Sequence, residues 1–113
     1  MLNIGDKVVV FHRRRFDEDH LRFFIGSVNE FDAGLASVVG HAWIQEVHRG
    51  ACHRKPDMRT QLVPLGSGDI IIYRLAKLVE LDDLSVEYGT GGMSVLTDGG
   101  DFRMDITDRM KPM

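Results

Sequence analysis

Short runs of β-branched and aromatic residues, separated by turn-forming residues, dominate this 113-residue chain. The most apolar run is Asp69–Arg74, DIIIYR, and Lys7–His12, KVVVFH, is of the same kind. Runs of this length and composition are typical of β-strands. No segment repeats apolar residues with the 3.6-residue period of a helix, so the sequence predicts an all-β fold.

Two longer runs carry a glycine in their interior. Arg22–Phe31 contains Gly26, and Leu35–Ile44 contains Gly40. An isolated glycine inside a strand favours a sharp bend or a close approach of two backbones. We therefore predict two bent strands joined by the turn that follows Asp32.

A short strand over Ala76–Glu80 is also predicted, which gives five strands within residues 1–81. Five short, bent strands predict a small closed barrel, because closure removes exposed sheet edges. The segment from about 45 to 68 is irregular and is interpreted as a long loop. A loop this long is expected to be functional, disordered or partly strand. Gln61–Val63 is the candidate for an extended stretch within it.

Residues 82–113 are predicted to form an acidic C-terminal β extension of hairpin type. Its three short runs are Leu84–Tyr88, Met93–Thr97 and Phe102–Ile106, separated by glycine-rich turns. The chain has a net charge of −3, but residues 1–79 hold 11 Lys and Arg against 9 Asp and Glu. Residues 80–113 hold 3 against 8, so a polyanion site is expected before the extension.

Several classes of protein are disfavoured by composition. The sequence contains no run of 18 apolar residues, so we expect no membrane span. It has no basic segment followed by an apolar one at its start, so we expect no signal peptide. The single cysteine, Cys52, excludes an internal disulfide and fits a reducing compartment, so a cytoplasmic location is expected. No Ser-His-Asp or Cys-His arrangement stands out, and we expect neither an enzyme nor a cofactor.

Two segments together resemble the Sm-like family, including its bacterial Hfq branch. Phe24–Asp32, FIGSVNEFD, resembles the first Sm motif, and Ile72–Ala76, IYRLA, resembles the second, which reads Tyr-Lys-His-Ala in Hfq proteins. The resemblance spans about residues 7–81. It implies a bent five-stranded barrel and single-stranded RNA as a partner, bound near the pore of a ring.

The resemblance also assigns roles to individual residues. It implies that Tyr73 stacks on a base, that Arg74 contacts a phosphate or a base edge, and that Asp32 lies at the same site. The basic loop containing Arg13, Arg14 and Arg15 is a candidate for auxiliary phosphate contacts. Asp17, Glu18 and Asp19 follow at once and offset that charge.

Sm-like proteins form homo-oligomeric rings of five to seven copies, in which the fourth strand of one subunit pairs with the fifth of the next. The resemblance places this interface on two apolar stretches. They are Ile70, Ile71 and Ile72 on one strand and Leu78, Val79 and Leu81 on the other. In a monomer these strands would leave edges prone to pairing.

Other functions remain open. Leu75 stands where Hfq proteins have a pore histidine, which favours a structural or assembly module without RNA binding, such as a phage or mobile-element accessory protein. A small-ligand or zinc-binding barrel is another alternative, through His41, His48, Cys52 and His53. An arginine cluster also opens the PilZ pattern for cyclic diguanylate, but Asn29–Gly34 lacks the serine of that pattern.

Overall fold

The computed structural model describes residues 1–13, 21–45, 52–89 and 92–107. In these residues the fold is all β, built from two antiparallel sheets. The strands are β1 (Lys7–His12), β2 (Leu21–Asp32), β3 (Leu35–Gln45), β4 (Cys52–Arg54), β5 (Arg59–Pro64), β6 (Ile70–Arg74), β7 (Ser85–Tyr88), β8 (Ser94–Thr97) and β9 (Arg103–Asp105), with a 3₁₀ turn at Leu81–Asp83. No helix in this part of the chain has the length and apolar character of a membrane-crossing segment.

The first sheet has six strands. Its order is β4-β3-β2-β1-β6, and β5 also pairs with β3. Besides β2, strand β3 pairs with two short strands along its length. β5 pairs with its first half, Leu35–Gly40, and β4 pairs with its last three residues, Trp43–Gln45. Along the path through β5, the sheet therefore ends at β5 on one side and at β6 on the other.

The second sheet packs on one face of the first. Its order is β7-β8-β9, and it supplies Leu96 and Ile106 to a core that also contains Val9, Phe11 and Phe23 from the first sheet. All five side chains are at most 4% exposed. Residues 82–107 therefore share a core with the strands that precede them.

The other face of the first sheet buries its own core as the sheet curls. Val8, Val10 and Val38 pack there with Val63 of β5. At the end of β1, the Nε2 atoms of His12 and Gln61 lie 2.9 Å apart, so β5 approaches β1 across the curl. Among the described strands, no ladder joins β5 to β6.

The two interior glycines form a cross-strand pair, as their positions predict. Gly26 lies directly opposite Gly40, between β2 and β3. A Cβ atom on Gly26 would overlap the carbonyl oxygen of Val39 and lie 2.7 Å from its carbonyl carbon. Only glycine fits, because the neighbouring atoms belong to the backbone and cannot rotate away.

One strand prediction was wrong. Ala76–Glu80 forms no strand: the N–H of Val79 donates to the carbonyl of Ala76, which makes a turn. The turn persists because Leu75 and Val79 are both buried in the shared core. The predicted loop from about 45 to 68 contains β4 and β5, and its extended interpretation at Gln61–Val63 is confirmed within β5.

Candidate functional site

The outer edge of β6 presents main-chain groups that pair with no other described strand. The N–H of Leu75 donates to the carbonyl of Lys7, and the N–H of Arg13 donates to the carbonyl of Asp69, at 2.7 Å each. In an antiparallel ladder the bonded pairs alternate, so Tyr73 and Ile71 also bond towards β1. The N–H and C=O groups of the residues between them, Ile70, Ile72 and Arg74, therefore point away from β1.

The outer edge of β5 follows the same rule. The N–H of Leu65 donates to the carbonyl of Gly34, so the bonded positions of β5 include Val63. The main-chain groups of Thr60 and Leu62 consequently point away from β3. Pro64 occupies the next outward position, where its missing N–H breaks no ladder bond.

Large apolar side chains accompany both edges. Ile71 on β6 is 38% exposed, and Leu62 on β5 is 62% exposed. Phe31, Leu35 and Leu65 are also exposed, near the hairpin between β2 and β3 and at the end of β5. The two sheet edges thus combine outward-facing backbone groups with uncovered apolar surface.

The described residues that were expected to bind RNA do not form one site. Tyr73 is half-buried, and its ring makes an edge contact with Phe11 at 5.8 Å between centroids. Arg74 donates to the Met1 carbonyl at 2.7 Å and lies 3.6 Å from the Asp6 carboxylate. The guanidinium is therefore already held by the N-terminal segment.

The other expected RNA contacts lie elsewhere. Asp32 is exposed at the tip of the hairpin between β2 and β3. It is seven residues beyond Ile25, the β2 residue level with Tyr73 through Val9, which corresponds to about 20 Å of strand. Arg13 is exposed at the opposite end of β6 from Arg74, and Arg14 and Arg15 lie outside the described residues.

The second half of the expected ring interface is split by the turn that replaces the predicted strand. Leu78 is 92% exposed, whereas Val79 is 3% exposed within the core. Leu81 is half-buried against the same core. Two carbonyls of this segment, those of Lys77 and Val79, accept hydrogen bonds from the ammonium group of Lys7. These residues cannot act together as a pairing strand.

The candidate zinc ligands are also dispersed. Within the described ranges, no three His, Cys, Asp or Glu side chains come together as a metal site. Cys52 and His53 are neighbours on β4, and His41 hydrogen-bonds to the carbonyl of Lys55. His48 lies outside the described residues. Burial raises the pKa of the Cys52 thiol to about 12.

Because of this raised pKa, Cys52 is expected to react slowly with a disulfide reagent such as dithionitrobenzoate. At pH 8 the thiolate fraction should fall from about a tenth in the unfolded chain to about one part in ten thousand in the folded chain. The reaction should be at least about a hundredfold faster in urea. Folding stability should fall as pH rises from about 9 towards 12, since the folded chain holds this proton more tightly. Equal rates in the folded and unfolded chains would contradict the burial of Cys52.

A cleft of about 370 Å³ lies on the outer faces of β2 and β3, and sequence reasoning missed it. Its floor is Ser27, Val39 and the bare backbone of Gly40, and its apolar wall includes Trp43. The missed signal is the alternation along β3, which puts Val39, His41 and Trp43 on one face. The addition of Ser27 to this face becomes visible only when the register of β2 and β3 is known.

The chain matches no protein-family model, no curated protein and no solved structure. The proposals below therefore rest on the geometry of the chain's own residues.

Proposed function

We propose that this chain is a homo-oligomeric assembly module, an Sm-like or SH3-like barrel whose copies join through their sheet edges. The barrel strands are β1, β2, β3, β5 and β6, with the second sheet covering one face. The single observation that carries the proposal is the outer edge of β6, which presents the backbone groups of Ile70, Ile72 and Arg74.

Edges of this kind are normally protected in monomeric proteins. Inward-pointing charges, lysine, proline or bulges prevent pairing with a second chain. Ile70, Ile71 and Ile72 carry none of these devices, and the first charged side chain is Arg74 at the end of the strand. A partner strand would complete the ladder and cover Ile71 in the same step.

The partner strand that fits best is β5 of the next copy. In Sm-like rings the fourth barrel strand pairs with the fifth of a neighbour, and in this chain those places are taken by Arg59–Pro64 and Ile70–Arg74. From sequence, we expected Ile70–Ile72 to pair with Leu78–Leu81 of the next copy. Because Leu78–Leu81 forms no strand, we propose β5 as the partner instead. Leu62 supplies the exposed apolar side chain on this second edge.

Replacing Ile71 with lysine is expected to dissociate the oligomer. The side chain is already 38% exposed, so the substitution should change the free energy of unfolding by less than about 1 kcal/mol. A charge on the pairing edge should nevertheless weaken self-association at least about tenfold. Light scattering coupled to size exclusion would measure the mass.

The matched control is Met93→Lys, which puts the same charge on a 45% exposed residue next to β8. It should leave the mass unchanged. Equal masses for Ile71→Lys and the unmodified chain would remove the β6 edge from the interface. Loss of association in both variants would indicate an interface governed by general charge.

Single-stranded RNA binding remains a second proposal from the Sm resemblance, with Tyr73 and Arg74 as the residues of its site, because Asp32 and Arg13 lie elsewhere. Fluorescence anisotropy with U-rich and A-rich RNA at low salt tests it. Binding that disappears in Tyr73→Ala and Arg74→Ala would support the site. An oligomer that ignores RNA would leave the assembly role alone.

A further inference from the structure

The cleft on β2 and β3 is separate from both sheet edges. It is bounded by the first residue of β1, by the paired strands β2 and β3, by the end of β4 and the connection to β5, and by the 3₁₀ turn with the residue before it. The residues that line it are Lys7, Ile25, Ser27, Val39, Gly40, His41, Trp43, Arg54, Met58, Glu80, Leu81 and Asp82. Its volume of about 370 Å³ lies within the range of small-molecule sites.

One hydrogen bond of His41 defines the tautomer of its neutral ring. Its Nδ1 atom lies 3.1 Å from the carbonyl oxygen of Lys55. A carbonyl can only accept, so Nδ1 carries a proton, and in the neutral ring Nε2 is then an acceptor. No described residue hydrogen-bonds to Nε2, and the Ser27 hydroxyl likewise has no partner among them.

Ser27 and His41 are positioned to act on one molecule. Ser27 lies opposite Val39, and His41 follows two residues later on the same face of β3. Diagonal neighbours of this kind have Cα atoms about 7–8 Å apart, which is the span of a small ring. Val39 lies opposite Ser27, and Trp43 follows His41 on the same face, so apolar side chains lie on both sides of His41 along β3.

The charges around the cleft balance. Arg54 pairs with Asp82 at 3.1 Å, and the Lys7 ammonium donates to two carbonyls. Glu80 adds a carboxylate with no described partner. The polar groups of the lining without a described hydrogen-bond partner are therefore Nε2 of His41, the Ser27 hydroxyl, which can accept or donate, and the exposed Glu80 carboxylate.

We propose that this cleft binds a small, uncharged, planar heterocycle that carries N–H donors, a class that includes the nucleobases. The ring lies on Val39 and the edge of Trp43. Its N–H groups donate to His41 Nε2 and to the Ser27 hydroxyl. The site does not depend on self-association, because none of these residues belongs to β5 or β6.

The test is a titration of the full chain with adenine, followed by amide and indole N–H shifts in NMR spectra. Purine, which lacks the exocyclic amine, is the matched ligand. Adenine is expected to shift the signals of Ser27, Gly40, His41 and the Trp43 indole, with a dissociation constant of about 1 mM or lower. Purine is expected to bind about tenfold more weakly, since acceptors stay unpaired.

Two variants locate the binding. His41→Phe and Ser27→Ala should each weaken adenine binding about tenfold, and Ser27→Ala removes only a hydroxyl, so the fold is retained. His53→Phe, an exposed histidine on β4 outside the cleft, should bind adenine as the unmodified chain does. Adenine binding that survives both cleft variants, equal binding of purine, or no shift at about 5 mM adenine would each overturn the proposal.

Discussion

Replacing Gly26 with alanine is expected to remove much of the folding stability of the chain. The new Cβ atom would overlap the carbonyl oxygen of Val39 and lie 2.9 Å from the Cα atom of Gly40. Both obstacles are backbone atoms, so β2 and β3, the two longest strands of the first sheet, would have to separate at this point. We expect a cost of about 4 kcal/mol or more, against total stabilities of about 5–15 kcal/mol for ordinary domains.

Gly66→Ala is the matched control, because nothing lies within 4 Å of a Cβ atom at that position. Its unfolding midpoint should stay the same or rise by an amount worth less than about 1 kcal/mol, because the unfolded chain loses freedom. Urea unfolding followed by circular dichroism compares the two variants. Similar midpoints for Gly26→Ala and Gly66→Ala would contradict the close approach of β2 and β3.

The second large effect is expected from Leu96→Ala. Leu96 is fully buried on β8, in the core that the second sheet shares with Val9, Phe11 and Phe23. Truncation should cost about 2–5 kcal/mol, including the cavity that it leaves. Because the core is shared, the first sheet should lose this stability together with the second.

Trp43 makes that coupling measurable, since it is the only tryptophan and lies in the first sheet. Its fluorescence transition in urea should shift to a lower midpoint in Leu96→Ala. Met93→Ala, which truncates a 45% exposed residue beside the same strand, should leave the midpoint within about 0.5 kcal/mol. An unmoved Trp43 transition in Leu96→Ala would mean that residues 82–107 fold as an independent unit.

Strands with one strongly apolar run could be predicted from sequence, because local composition and tertiary burial agree. Lys7–His12 and Asp69–Arg74 are examples, and the structure assigns them to β1 and β6. Strand β5 was harder, since RTQLVP has a single buried residue, Val63, and a proline. Its conformation is set by pairing with β3, whose partner residues lie 19 to 29 positions earlier in the chain.

The strand prediction for Ala76–Glu80 was wrong because local composition and tertiary burial disagree there. Leu75 and Val79 are apolar and adjacent to β6, which favours a strand by composition. Both side chains reach the same core only if the chain turns between them, and the core contacts prevail over local propensity. The candidate surfaces follow the same division: the edge at Ile70–Ile72 could be predicted from one run, whereas the Trp43 cleft required the register of two strands.

The most direct test of the assembly proposal is the mass of the unmodified chain in solution, measured by sedimentation velocity across a hundredfold range of concentration. One chain has a mass of 12.8 kDa. We predict a single closed species of about five to seven copies, the number that the Sm resemblance implies, whose mass stays constant as concentration rises. A monomer at every concentration would contradict the proposal, and a dimer would contradict the ring.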